Sequence, residues 1–522
     1  MIDATPLLRL YARRRRAALA AEDPAAAQEA QLLRLLRQAA ATPFGRAHGF
    51  ADIRRVAEFQ ACVPLRTYED FWRDWWQPSF PRLANVTWPG AIPFFAVTSG
   101  TSSGRTKYIP ISAATMRANR RAALDILVHH VTHRPHSRVL GGRIFMLGGS
   151  TALKQEAPGI RSGDLSGIAV ARMPFWAEPL AFPPRDVALM EDWDAKMAAC
   201  IAGAATADIR VISGTPSWLQ ILFDRHAAAT GKPALARALY PKLELLVHGG
   251  VNFQPYRARF ETFLAGSHAE LRQVYPASEG FIAIADEGPA EGLRLLADNG
   301  LFLEFVPVAE LGSLSPRRFW LADIETGVEY AILITSCAGL WAYLLGDTVR
   351  FLSRRPPRLL VTGRTSYMMS AFGEHLIEAE IEEAVAKAAA AIGADVSDFA
   401  MGALFPERPG EVGRHLFLVE FAGAVAPGSV ADFTKRLDAG LAALNDDYRA
   451  HRLDDVGMGT PQVEAVPPGF FARWMKARGR LGGQNKVPRV INDPNLFAEL
   501  RRAVEATHLS PRPSPGDGEG GG

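Results

Sequence analysis

Apolar and polar positions along this chain follow two periods, and the changes from one to the other mark its elements. Residues Pro6 to Ala41 are rich in Ala, Leu, Arg and Gln at helical spacing, which predicts one or two helices. The apolar run Ile92 to Val97 reads as a buried strand and Tyr108 to Ile111 as a second, short one. Ser112 then reads as the N-cap of an Ala-rich helix running toward Val131. From about Asp192 the pattern alternates: a helix to Ala207, a strand at Arg210 to Ile212, a helix opening near Pro216, and a strand at Leu243 to His248 that ends in Gly249-Gly250. Such a succession predicts an α/β core of mostly parallel strands, with ligands beyond their carboxyl ends.

Between about Leu293 and Val361 the pattern shifts to strands, with a hairpin signal at Asp298-Asn299-Gly300 and β-rich runs at Tyr330 to Thr335 and Trp341 to Leu345. Glu374 to Ala391 is strongly helical, and strands follow near Phe399 to Phe405 and Leu416 to Phe421. The expected organisation is a large domain over 1–362, with a β-rich subdomain at about 293–362, then a small α+β domain over 363–505. Residues 506–522, whose end is Pro, Gly and Ser with few apolar groups, are expected to form a disordered tail.

At 522 residues the chain is too long for a single core, and 48% hydrophobic with 22% charged residues is ordinary for a soluble protein. A net charge of +3 gives no basis for a nucleic-acid or membrane partner. Arg13 to Arg16 read as a helix face rather than a targeting signal. Three scattered cysteines, Cys62, Cys200 and Cys337, suit a reducing compartment, so the protein is expected in the cytoplasm. His129, His130, His133 and His136 lack a nearby Cys, Asp or Glu and are broken by Pro135, a poor metal site.

Thr98 to Lys107, Thr-Ser-Gly-Thr-Ser-Ser-Gly-Arg-Thr-Lys, packs hydroxyls, glycines and cations into one turn after a strand, which is anion-binding chemistry. Its glycine spacing departs from the Walker loop. By itself it reads equally as a polar surface loop. Tyr275-Pro-Ala-Ser278-Glu279 puts an aromatic face, a hydroxyl and a carboxylate after the strand Leu271 to Val274. The ring suits a purine and the carboxylate Mg²⁺, or the segment is a plain turn. Asp347, closing Tyr343-Leu-Leu-Gly346-Asp347, can accept both hydroxyls of a ribose or cap a turn. His248-Gly249-Gly250 offers bare backbone for the edge of a flat base, or a tight turn. Lys486, within Gly482-Gly-Gln484-Asn-Lys486-Val-Pro488-Arg489, is free to enter a cleft or is solvated.

Taken together and in this order, these motifs resemble the adenylate-forming superfamily, and within it the Gretchen Hagen 3 family of acyl acid-amido synthetases. The Gln484-x-Lys486-x-Pro488-Arg489 string is the family-specific part, and the resemblance spans about residues 90 to 490. It implies a large N-terminal domain of mixed, mostly parallel sheets flanked by helices, and a small mobile α+β domain carrying Lys486. It implies ATP and Mg²⁺ as cofactors, and a small carboxylic acid and an amine, in this family's chemistry an amino acid, as substrates. The phosphates would lie on Thr98, Ser99, Gly100, Thr101, Ser102, Gly104 and Lys107, the metal on Glu279, the ribose on Asp347, and the adenine among Tyr275, Gly249 and Gly250, with Ser278 a further nucleotide contact. Lys486 would serve the carboxylate and the α-phosphate. The family's acyl region falls among Leu124 to His133, Ser166 to Trp176 and Gly214 to Trp218, where Met173, Phe175, Trp176 and Thr215 could line a pocket or simply belong to the core. Two alternatives share these features: an acyl-CoA ligase with the same adenylation chemistry, and a non-catalytic nucleotide- or acid-binding protein.

Overall fold

The computed structural model describes residues 3–509 other than 99–106, 149–152, 176, 191, 251, 252, 254, 255, 288–291, 312, 314, 366, 367, 375, 409, 424, 427, 453–456 and 479–486. The chain divides into two compact units, one of residues 1–366 with 408–410, the other of the remainder. Among the described residues no helix is long and apolar enough to cross a membrane.

An eleven-stranded sheet organises the first unit. Ala181–Phe182, Arg143–Met146, Ile209–Gly214, Leu245–Gly249 and Glu270–Ala277 run parallel. Gly280–Ile284, Leu293–Leu295, Pro357–Arg364, Tyr343–Arg354, Glu329–Ser336 and Leu301–Pro307 continue the same sheet, each antiparallel to its neighbour. The α/β class is as expected, but the β-rich stretch is the antiparallel half of this sheet. A four-stranded sheet of Lys107–Ile111, Phe94–Thr98, Ile160–Gly163 and Lys154–Ala157 accompanies it.

The parallel strands are covered by Thr5–Ala21 and Ala113–His133, whose Leu8, Ala12, Ala122 and Val128 pack on Val211, Leu245, Val247 and Val274. Alternate residues of each strand meet this layer, as the two-residue period requires: odd-numbered Val211, Leu245 and Val247, and even-numbered Val274 on the last strand. Even-numbered His248 lies instead against Phe253 and Phe260.

Asp298-Asn299-Gly300 does not make a hairpin: Leu293–Leu295 and Leu301–Pro307 sit on different partners, Pro357–Arg364 and Glu329–Ser336. The turn residues answer other groups. Asp298 takes a guanidinium from Arg15 at 2.8 Å, and the Gly300 carbonyl accepts from the Cys337 amide at 3.1 Å. Gly300 does adopt φ +80°, so the turn chemistry is right and the strand pairing is not.

In the second unit, Gln462–Val466, Arg414–Phe421, Val396–Leu404 and Val490–Ile491 form a four-stranded sheet. Phe399, Met401, Phe417 and Val419 face the helices Glu378–Ala391 and Ser429–Leu444, whereas Ala400, Leu416 and Leu418 face Phe470–Ala477 and Pro494–Leu509. The first of these helices begins at Glu378, not Glu374. The Glu374 carboxylate is occupied by the amides of Ala371 (3.0 Å) and Phe372 (2.7 Å) and by His415 Nε2 (2.7 Å). The last helix runs to Leu509, so residues 506–509, expected in a tail, are helical.

Candidate active site

Thr98 and Lys107 face each other as the last and first residues of two antiparallel strands, so the hydroxyl-rich turn joins a hairpin. Its residues Ser99, Gly100, Thr101, Ser102 and Gly104 lie outside the described residues, as does Lys486. Lys107 is buried, with its ammonium 5.4 Å from the centre of the Tyr68 ring. Burial pushes its pKa below the ordinary lysine value; Glu69 and Glu279 oppose this and Arg364 adds to it. Tyr68 belongs to a short helix, Tyr68–Phe71, fixed by a capping box between Thr67 and Asp70, and its hydroxyl accepts the Tyr108 amide at 2.9 Å.

The strand after Gly250 extends through Tyr275 to Ala277, and Ser278-Glu279 makes the tight turn into Gly280–Ile284. Glu279 is thereby set at a strand end, buried. Burial raises its pKa and Asp347 raises it further, and a hydrogen bond from its own backbone amide, the Lys107 charge and a hydrogen bond from the Tyr343 hydroxyl only partly offset this. Tyr343 follows Ala342, a non-glycine residue at φ +46°. That backbone is held by Thr335 Oγ1, which accepts the Ala342 amide at 2.9 Å, and by the Arg66 amide, which donates to the Ala342 carbonyl at 3.1 Å.

Asp347 is presented by an irregularity. Strand Tyr343–Arg354 slips register against Glu329–Ser336 here, with Gly346 at φ +96°. The Asp347 carboxylate accepts the Tyr275 hydroxyl at 2.5 Å on one oxygen and the Arg364 guanidinium at 2.8 Å on the other. Arg364 is its cross-strand partner in register. Tyr275 is only 7% exposed, so besides any face it offers a base, it holds Asp347 in place.

Gly214 and His248 are register partners, so Thr215 and Gly249-Gly250 share the carboxyl edge of two adjacent parallel strands. A Cβ at Gly249 would lie 2.5 Å from the Val274 carbonyl oxygen, and Gly250 adopts φ +90° with Thr215 Oγ1 its nearest neighbour. Only glycine gives this bare edge. The Thr215 hydroxyl does not cap the helix Pro216–Thr230 that follows it. His248 is buried, its two ring nitrogens have no partner among the described residues, and its pKa is pushed down to about 3 by burial.

The structure thus brings together Lys107, Tyr275, Glu279, Tyr343, Asp347 and Arg364, six residues spread over 258 positions of the sequence and linked by hydrogen bonds and charge. Tyr68, Glu69 and Arg364 escaped the sequence reading; the Thr67-x-x-Asp70 capping box and the Gly363-Arg364 strand end were their signals. The acyl candidates are scattered. Phe175 is 83% exposed, Met173 is half-buried and Trp176 lies outside the described residues. Leu124 to His133 does not gather at this edge: His130 binds Glu270 at 2.6 Å and His133 Arg272 at 2.8 Å, at the opposite end of Glu270–Ala277. These imidazoles serve an ion network, and no group of three or more metal-ligating side chains occurs among the described residues. Arg489 is likewise structural, bound to Asp398 at 2.5 Å and lying over Phe399.

Residues 13–205 match the GH3 family N-terminal domain, 294–364 the GH3 family central domain and 379–495 the GH3 family C-terminal domain. The chain is 32% identical over 235 residues to the indole-3-acetic acid-amido synthetase GH3.8 of Oryza sativa subsp. indica, covering 43% of this chain and 39% of that protein. It is 24% identical over 563 aligned positions to the probable indole-3-acetic acid-amido synthetase GH3.1 of Oryza sativa subsp. japonica, covering 92% and 89%. In three such curated relatives the match spans 39%, 57% and 42% of their length, about half. Among solved structures the fold resembles that of the GH3.15 acyl acid amido synthetase, with a TM-score of 0.58 at 18% identity over 97% of both chains. It also resembles 2-hydroxyisobutyryl-CoA ligase in complex with 2-HIB-AMP and CoA, with a TM-score of 0.58 at 17% identity over 92% of both. With three consecutive domain matches in the family's order, on the strand-end cluster described above, the chain belongs to the GH3 family.

Proposed function

We propose that this protein uses ATP to activate a small carboxylic acid as its acyl-adenylate and then transfers the acyl group to an amine, an amino acid, forming an amide. The observation that carries this reading is the convergence of Lys107 and Glu279, each at a strand end, with the Asp347–Arg364 pair, and Gly249-Gly250 beside them. The family membership and the amido synthetase relatives support the acceptor class.

A carboxylate cannot expel oxide, so it must first displace pyrophosphate from the α-phosphorus of ATP. Both reactants are anionic, and charge builds on the leaving pyrophosphate. Lys107, held in a low-dielectric setting, meets that charge without reorganising, a contribution of about 3 kcal/mol for a well-placed donor. Asp347, fixed by Arg364 and Tyr275, accepts the ribose hydroxyls, and Gly249-Gly250 admits the base edge.

Mg²⁺ fits this donor set: a hard carboxylate oxygen from Glu279, buried and under-compensated, leaves its other positions to phosphate oxygens and water. When bound, the ion would neutralise the phosphates, and the same charge would lower the raised pKa of Glu279. Lys486 is assigned to the carboxylate and α-phosphate during adenylation. In the second half-reaction the amine nitrogen attacks the acyl carbon, the bond to AMP breaks, and the amine loses a proton. An α-amino group has a pKa of about 7.7 to 8.0, so a useful minority is already neutral at pH 7 and no strong base is required. Three cysteines, all free, suit the cytoplasm.

The test is a panel of aryl, indolyl, jasmonate-like and aliphatic acids with the common amino acids, read by mass spectrometry. Acid-dependent AMP and an amide support the proposal. CoA thioester with no amide would replace it by the acyl-CoA ligase reading, and ATP binding without any acid-dependent turnover would leave a binding protein.

A further inference from the structure

The N-terminal helix Thr5–Ala21 carries a surface that neither the core nor the proposed reaction uses. One stripe, Leu8, Ala12, Arg15 and Leu19, is buried, and Arg15 is engaged there by Asp125 and Asp298, each at 2.8 Å. On the other side Leu7 is 72%, Leu10 53% and Tyr11 38% exposed. Arg13, Arg14 and Arg16 are exposed as well. At 3.6 residues per turn, Leu7, Leu10, Tyr11 and Ala18 lie along one side with Arg14 among them and Arg13 on its flank, whereas Arg16 projects from the opposite side of the helix.

Residues 1–21 hold five arginines and one aspartate, a larger surplus than the +3 of the entire chain. The rest of the protein is therefore slightly acidic in sum, and the small net charge conceals one strongly basic element. Its only acid, Asp3, is ion-paired with Arg138 at 3.0 Å. A single exposed leucine is ordinary, but an apolar row flanked by cations on a helix already anchored by its opposite face is a surface built to meet something apolar and anionic.

We propose that this face docks on the surface of an anionic lipid bilayer, peripherally and without crossing it. Leu7, Leu10 and Tyr11 would enter the boundary between headgroups and acyl chains, Arg13 would meet the headgroup charges, and Arg14 would extend its guanidinium to the same level. Because the helix is already folded on the protein, docking does not bear the cost of helix nucleation. Two-fold pairing with a second copy would set the arginines against one another. A nucleic acid would satisfy the arginines but leave the apolar row on a charged backbone.

The test is co-sedimentation of the full chain with vesicles of phosphatidylcholine alone and of phosphatidylcholine with about one-third phosphatidylserine. Binding is expected to the anionic vesicles only and to weaken as salt rises. Each arginine contributes about fivefold at such a surface, so Arg13→Glu and Arg14→Glu combined should weaken binding by about 25-fold or more. Leu7→Ser with Leu10→Ser should also weaken it while leaving circular dichroism and thermal unfolding unchanged. Equal binding to both vesicles, binding to neither, binding to a DNA duplex instead, or self-association abolished by the leucine substitutions would each overturn the proposal.

Discussion

Glu279 and Glu374 are both buried glutamates, one in each compact unit, and their surroundings act on them in opposite directions. Glu374 accepts two backbone amides and the His415 imidazole. Despite burial, which pushes upward, the His415 charge and these hydrogen bonds hold its pKa down at about 2. Glu279 has its own backbone amide, one tyrosine hydroxyl, a buried lysine and a second carboxylate for company, and its pKa is nonetheless raised by burial. A carboxylate whose charge the protein has answered is a fold element, whereas one left under-compensated beside an equally disfavoured lysine awaits charge from a ligand. The second pattern is the one the proposed nucleotide site rests on.

Substituting each glutamate by glutamine is the strongest way to break this contrast. Glu279→Gln should lower acid-dependent pyrophosphate exchange by about 100-fold or more, with an unfolding midpoint unchanged or raised, because a buried under-compensated charge has been removed. Glu374→Gln should do the reverse, costing about 3 kcal/mol in urea unfolding while the folded fraction keeps its specific activity. Equal stability losses in the two variants would end the comparison.

The pH dependence sharpens it. Glu374 has a folded pKa of about 2 against an ordinary 4.5, so its stabilising contribution is complete above 4.5 and is lost as pH falls toward 2. Glu279 has a raised folded value, so its contribution declines as pH rises from 4.5 through that value. Urea midpoints followed from pH 2 to 7 in the two glutamine variants should therefore differ from the parent with opposite slopes. Nucleotide affinity should fall on the basic side before the ordinary lysine value of 10.5, because burial lowers Lys107.

Much of this was legible in the chain. Placement of Lys107 and Glu279 at strand ends follows from apolar runs that stop at polar, glycine-bearing turns, and the helix after Ser112 from a cap and a local period, whereas Asp347, expected to close an apolar strand, lies inside the longer strand Tyr343–Arg354. What was not legible depends on long-range pairing. Asn299-Gly300 has hairpin chemistry, but the partners of its flanking strands lie elsewhere. Arg364 reaches Asp347 through strand register, and Tyr343 reaches Glu279 through its hydroxyl, neither of which a local period encodes. Phe175 looked like a pocket wall because apolar character alone does not say which side of a surface a residue takes.

Smaller effects test the support around Asp347. Arg364→Gln removes a charged donor and should weaken AMP binding about tenfold in calorimetry. Tyr275→Phe removes one neutral hydroxyl and should weaken it only about fivefold, with ATP-site stability otherwise retained. A larger loss for Tyr275→Phe would restore the ring face as the dominant contact.

The most direct test of the central claim is carboxylate-dependent exchange of pyrophosphate into ATP, measured on the parent chain and on Glu279→Gln across a Mg²⁺ titration. The account predicts exchange that requires an acid, is present in the parent, and in the variant is lowered with a shifted metal requirement. Exchange that proceeds without any acid, or a variant whose metal response matches the parent, would contradict it.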